Sequence, residues 1–131
     1  QKILKNFAIL PIVAGNINPL ELAQILKTLI TKQTLLIVSS DLSHYYTYRQ
    51  ACILDNIANL AIPNLDIKKT EKEVEACGKI GILTLMHLAR ELSWHGKLLK
   101  YQNSGDAFGD KSRVVGYGAY AFYLSKLANF R

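Results

Sequence analysis

The amino-acid sequence describes an α/β chain: a central, mostly parallel sheet flanked by helices, with an antiparallel strand pair towards the carboxyl end. Three patterns lead to that expectation. Phe7–Gly15 and Leu35–Ser39 are apolar on both faces, as strands buried inside a parallel sheet are. An amphipathic stretch with a helix start lies between them, giving strand–helix–strand order and a parallel βαβ unit. Finally, Leu98–Asn103 and Val114–Tyr123 are β-rich and flank a polar Ser-Gly-Asp…Gly-Asp loop, which predicts an antiparallel pair.

Each element has its own local reason. Pro11 cannot donate to a ladder, so the first strand has an edge, a bulge or an end of pairing there. In Asn18-Pro19-Leu20-Glu21, Asn18 can cap, Pro19 suits the first helical position and Glu21 can complete a capping box. Leu22, Ile25, Leu26 and Leu29 then follow on one face. Thr47-Tyr48-Arg49-Gln50 repeats the box and precedes Ile53, Leu54, Ile57, Ala58 and Leu60 at helical spacing, up to Pro63. Thr70-Glu71-Lys72-Glu73 is a third box, predicting a longer helix that carries Val74, Cys77, Gly78, Gly81, Ile82, Leu85, Leu88 and Leu92. Two glycines inside one helix cost ~2 kcal/mol relative to alanine, which points to close backbone packing or space kept for a site. In the last strand Gly116, Gly118, Ala119 and Ala121 are small, so a neighbour packs close against it.

The totals narrow the function classes. The 131 residues make one domain at most, and with 50% hydrophobic and 20% charged residues the composition is that of a globular chain. No apolar run approaches the ~20 residues of a membrane span, and no signal-peptide pattern is present. The first residue is Gln, so the chain is expected to begin inside something longer. Two cysteines are too few for a disulfide framework, which predicts reduced thiols and a cytoplasmic setting. The net charge of +6 is scattered rather than gathered into a stripe or motif, so nucleic acid is not an expected partner.

The candidate chemistry lies in Ser39-Ser40-Asp41-Leu42-Ser43-His44. In α/β proteins reactive groups gather beyond the carboxyl ends of strands. A histidine there can serve as base, acid or metal ligand, and Asp41, three residues earlier, can orient it. Locally, the same residues also suit a plain turn. A serine nucleophile is not supported, because the Gly-x-Ser-x-Gly elbow is absent. Cys77, in the first turns of the third helix, has either a thiolate favoured by the helix terminus or the role of a small buried hydrophobe. Cys52, His87 and His95 read as packing or surface residues. One thiolate and one imidazole suit iron, copper or zinc, but two ligands do not close a site.

Three blocks together resemble a known family. Ser39-Ser40-Asp41-Leu42-Ser43-His44-Tyr45, Glu75-Ala76-Cys77-Gly78, and Tyr101–Asp106 with Asp110–Ala119 are similar to the Memo family, whose bacterial and archaeal members are called AmmeMemoRadiSam system protein B. The resemblance covers nearly the whole chain. It implies a fold like that of the class III extradiol dioxygenases and an iron or copper site, with redox or dioxygenase-like activity on a substrate it does not identify. It also implies that Cys77 is a metal ligand, that His44 is the acid/base beside the metal, and that Asp41 lines the pocket.

By the same resemblance, residues 1–131 form a single partial domain, the carboxyl-terminal half of the family's, and two histidine ligands belong to the other half. The expected partners are therefore the missing amino-terminal half or a homo-oligomer, with a functional link to the other AmmeMemoRadiSam proteins. Two rival readings are a non-catalytic module that binds a protein or peptide, and an inactive fragment of a split gene.

Overall fold

Backbone pairing, rather than apolar patterning, decides which segments of this chain are strands. The computed structural model describes residues 5–124. In chain order the elements are α1 (Pro19–Lys27), β1 (His44–Tyr46), α2 (Tyr48–Ala61), α3 (Ile67–Glu73), α4 (Lys79–Glu91), β2 (Trp94–Asn103), α5 (Ser104–Phe108) and β3 (Val114–Leu124). The three strands make one sheet with β3 in the centre, antiparallel to both neighbours.

The expected strand pair near the carboxyl end is present. Its register runs from Trp94↔Leu124 to Asn103↔Gly116, with an irregularity between Leu98 and Lys100. β2 begins at Trp94 rather than Leu98, and the polar loop contains a short helix. Asn103 caps that helix, accepting the Gly105 N–H at 2.9 Å, while Asp106 accepts the Asn103 N–H at 2.9 Å. The Asn103 N–H bond, and then the Tyr48 hydroxyl, hold the Asp106 carboxyl below its usual range.

The mostly parallel sheet and its βαβ unit are not found among the described residues. Residues 7–15 and 35–39 carry no ladder, although α1 lies between them where it was expected. A strand apolar on both faces belongs in a sheet covered on both faces, and among the described residues no strand pairs with these segments. Along 35–40 the burial alternates, with Leu36, Val38 and Ser40 half-buried and the residues between them exposed. Leu35 and Ile37 are 71% and 75% exposed, and Val13 is 98% exposed.

The first two predicted helix starts hold. The Asn18 side chain accepts the Leu20 N–H at 2.9 Å, with Pro19 in the first turn. Gln50 Oε1 accepts from the Thr47 hydroxyl at 2.7 Å and from the Thr47 N–H at 3.4 Å. α1 buries Leu22, Ala23 and Leu26 in a cluster with Leu88 of α4, leaving Ile25 and Leu29 exposed. The inward face of α2 matches the expected one only in part, since Ala58 is buried and Ile57 packs against the main core as expected. Ala51, Asp55, Ala58 and Ala61 are buried, whereas Ile53 and Leu60 are exposed.

The third start is displaced. Asp66 caps α3 by accepting the Lys69 N–H at 3.0 Å, and Thr70 is buried inside that helix. The expected single long helix is two helices, broken over residues 74–78. Val74, extended and buried, ends α3, and Gly78 caps α4. Gly78 is where close packing was expected. A Cβ there would sit 2.8 Å from Ser40 Cβ and 2.9 Å from the Ser39 carbonyl oxygen.

The main core gathers Leu42, Ala58, Ile62, Val74, Ile82 and Met86 with other buried residues between β3 and the helices. No helix among the described residues is long and apolar enough to cross a membrane. His87 is half-buried, His95 is exposed and Cys52 is half-buried, in keeping with packing and surface roles.

β3 meets α2 at Gly116, where an added Cβ would collide with the Asp55 carboxylate. Neither partner is a flexible side-chain end, since Asp55 is itself hydrogen-bonded in place. Gly116→Ala is therefore expected to lower stability by about 2 kcal/mol or more, read as a lower urea midpoint with an unchanged slope.

Candidate metal centre

The segment 39–44 passes from the surface into the core and out again. Leu42 and Ser43 are buried, while Asp41 and His44 on either side are part-exposed. The Leu42 N–H donates to the Gly116 carbonyl at 2.8 Å, and the Gly116 N–H donates to the Ser43 carbonyl at 2.9 Å. His44 then begins β1, pairing with Val115. The pairing is irregular between His44 and Tyr46, where Tyr45 takes a φ of 63°. The Arg113 guanidinium lies over the exposed Tyr45 ring, 5.0 Å from its centroid.

This excursion through the core leaves the two flanking side chains together at the surface. His44 Nε2 lies 3.5 Å from Asp41 Oδ2. Cys77 reaches them from the break between α3 and α4. It lies in the turn just before the cap residue Gly78 rather than inside a helix, which corrects the expected placement. Backbone bonds bring it in. The Cys77 N–H donates to the Asp41 carbonyl at 3.2 Å, and the Asp41 N–H donates to Cys77 Sγ at 3.2 Å. Ser40 ties the same crossing, its hydroxyl donating to the Asp41 carbonyl and accepting the Gly78 N–H, both at 2.8 Å.

One donor atom each from Asp41, His44 and Cys77 lies within 4.8 Å of the others. Metal–ligand bonds of ~2.0–2.3 Å place tetrahedral ligands ~3.3–3.8 Å apart, so a small inward movement of side chains closes this set on one ion. Sulfur, nitrogen and oxygen donors of graded softness fit a transition metal rather than calcium or magnesium. The donor set therefore fits a metal, and all three candidate residues named from the sequence meet in one place.

Other parts of the surroundings are not among the site residues expected from the sequence. Glu75 Oε1 accepts the His44 N–H at 3.4 Å, and Oε2 accepts the Tyr46 hydroxyl at 3.0 Å. That hydrogen bond, and then the carboxylate's charge, push the Tyr46 phenol above its usual range. Asp55, only 1% exposed, accepts the Ser43 N–H at 2.9 Å on Oδ1 and the Tyr101 hydroxyl at 2.7 Å on Oδ2. An aspartate between Ala51 and Ala58 on a helix face is a readable sign, but only the fold shows what it faces.

Comparison with known proteins adds a family. A family model described as Memo-like protein matches residues 1–121. A MEMO1 family protein of Sulfolobus acidocaldarius is 38% identical over 124 residues, covering 86% of this chain and 44% of its own length. One from Methanosarcina mazei is 34% identical over 127 residues, covering 88% and 48% respectively. One from Nitrosopumilus maritimus is 34% identical over 129 residues, covering 90% and 46%. The chain thus spans less than half the length of these relatives.

Burial, and then the Asp55 hydrogen bond, push the Tyr101 phenol upwards, and burial does the same to Tyr120. A folded-state pKa raised above the unfolded value of ~10 stabilises the fold fully below pH ~10, and that contribution is lost as pH rises beyond it. The urea midpoint is therefore expected to stay level through pH 9 and to fall above pH ~10, with a smaller fall in Tyr101→Phe.

Proposed function

This chain belongs to the Memo-like protein family, and we propose that it contributes Cys77, His44 and Asp41 to the iron or copper site of a redox-active protein. The observation that carries the reading is the convergence of these three donors, from two separate segments, within 4.8 Å. A bound iron or copper ion would supply one-electron chemistry and open positions for oxygen or a substrate. Cys77 would hold the ion as its soft ligand, with Asp41 and His44 as the harder donors.

A second role for His44 is favoured by the 3.5 Å contact with Asp41. A carboxylate at that distance orients an imidazole for proton transfer, which is the acid/base role implied by the resemblance. The two free thiols, Cys52 and Cys77, are compatible with a reducing compartment, and we place the protein in the cytoplasm on that ground.

A family-length protein would supply more of the site. Relatives more than twice as long leave room for further ligands, and the unpaired apolar segments here need cover. A groove of about 560 Å³ runs between residues 35–38 and the edge of β3, lined by Leu36, Val38, Leu42 and Phe122 among others. We assign that cover to the remainder of the family's domain, with a second copy of this chain as the other outcome of a sedimentation measurement.

The site is tested by titrating the reduced protein with Co(II) and following the thiolate-to-cobalt absorption. Cys77→Ser is expected to weaken binding by about 100-fold or more and to abolish that band, while Cys52→Ser leaves both intact. Equal losses in the two variants overturn the assignment. His44→Ala is expected to keep the thiolate band, lose about tenfold in affinity and shift the ligand-field bands. Unchanged affinity and ligand-field bands would instead assign His44 to proton transfer alone.

A further inference from the structure

We propose that Asp55 is a positioning residue for the metal centre, setting the spacing of Asp41 and His44 by clamping the backbone between them. The proposal rests on the metal-binding reading above and adds to it a residue outside the donor set.

Ser43 lies between the two donors in the chain, and both of its backbone groups are held. Its carbonyl accepts from Gly116 N–H of β3, and its N–H donates to Asp55 Oδ1 of α2. Its own hydroxyl is buried and has no hydrogen-bond partner among the described residues, so the side chain anchors nothing there. The Asp41–His44 segment is thus pinned from opposite elements, by a strand and by a carboxylate.

The identity of residue 55 asks for an explanation. Its neighbours on the buried face of α2 are alanines, and an apolar residue would satisfy packing alone. A buried carboxylate is costly unless strong hydrogen bonds repay its desolvation. It has two, from Ser43 N–H and from the Tyr101 hydroxyl. Tyr101 is itself the half-buried rung of β2 facing Gly118, so the carboxylate's second oxygen is fixed by the sheet. Gly116 leaves the space that the carboxylate occupies. Three elements therefore agree on one position for Asp55, and through it for Ser43. Donor atoms tolerate only a few tenths of an ångström of misplacement before affinity falls, so holding this peptide holds the site.

The test separates positioning from ordinary stabilisation by comparing two tyrosines of the same sheet. Tyr101→Phe removes the hydroxyl that braces Asp55. Tyr120→Phe removes a hydroxyl that donates to Asn59 at 2.7 Å rather than to Asp55. Both should lower the urea midpoint, Tyr101→Phe by more because it leaves a buried carboxylate short of a donor. Only Tyr101→Phe should weaken Co(II) binding, by about tenfold, and shift the ligand-field bands. Asp55→Asn should weaken it further, and if that variant does not fold, the tyrosine pair alone decides. Equal Co(II) affinities in Tyr101→Phe and Tyr120→Phe overturn the proposal. A wild-type protein whose Co(II) binding is indifferent to Cys77→Ser overturns the metal reading itself, a failure distinguishable from the first.

Discussion

The rest of the structure depends on one crossing, where Gly116 of β3 meets the buried backbone of Leu42 and Ser43. Two hydrogen bonds join that backbone to the strand, and the Asp55 carboxylate fills the space that the missing side chain leaves. Because buried backbone groups must find partners, this crossing has little freedom to slide. β1, the approach of α2 and the exit of Asp41 and His44 to the surface all follow from it. A side chain at 116 would push the carboxylate away from both its donors at once.

The second constraint is a shortage of strand partners. β3 is paired with β2 from Gly116 to Leu124, but on its other side β1 reaches only Val114 and Val115. Residues 35–38 lie across a groove from that edge without joining the sheet. Apolar area left in water forfeits roughly 25 cal/mol per Å², and an unpaired edge is a template for pairing. These exposed segments leave apolar surface without a strand partner among the described residues.

The donor cluster shows how two ordinary local events produce a chemical site. One is the passage of Leu42 and Ser43 through the core, which leaves residues 41 and 44 adjacent at the surface. The other is the break between α3 and α4, which frees Cys77 to bond with the backbone of Asp41. A continuous helix through residue 77 would have kept that backbone in its own ladder. The interruption is therefore a condition of the site, and Gly78 permits it by letting Ser40 approach.

By itself the sequence determined the helix starts at Asn18 and Thr47, the β2–β3 pair, and Asp41, His44 and Cys77 as the candidate residues that the fold brings together. These rest on short-range rules, such as capping, period-two patterning and turn chemistry, or on motifs read in combination. Only the tertiary structure decided that residues 7–15 and 35–39 stand outside the sheet, because a strand is completed by a neighbour that its own residues do not specify. It also decided that α2 turns Asp55 inward. The alanines of that face pack closely enough for the carboxylate to reach Ser43 and Tyr101, residues remote in the chain. The third helix start was misplaced because a four-residue box at Thr70 fits the local rule as well as Asp66 does. The choice between them came from burial of Val74 and the contact of Gly78 with Ser40, neither of which is a local property.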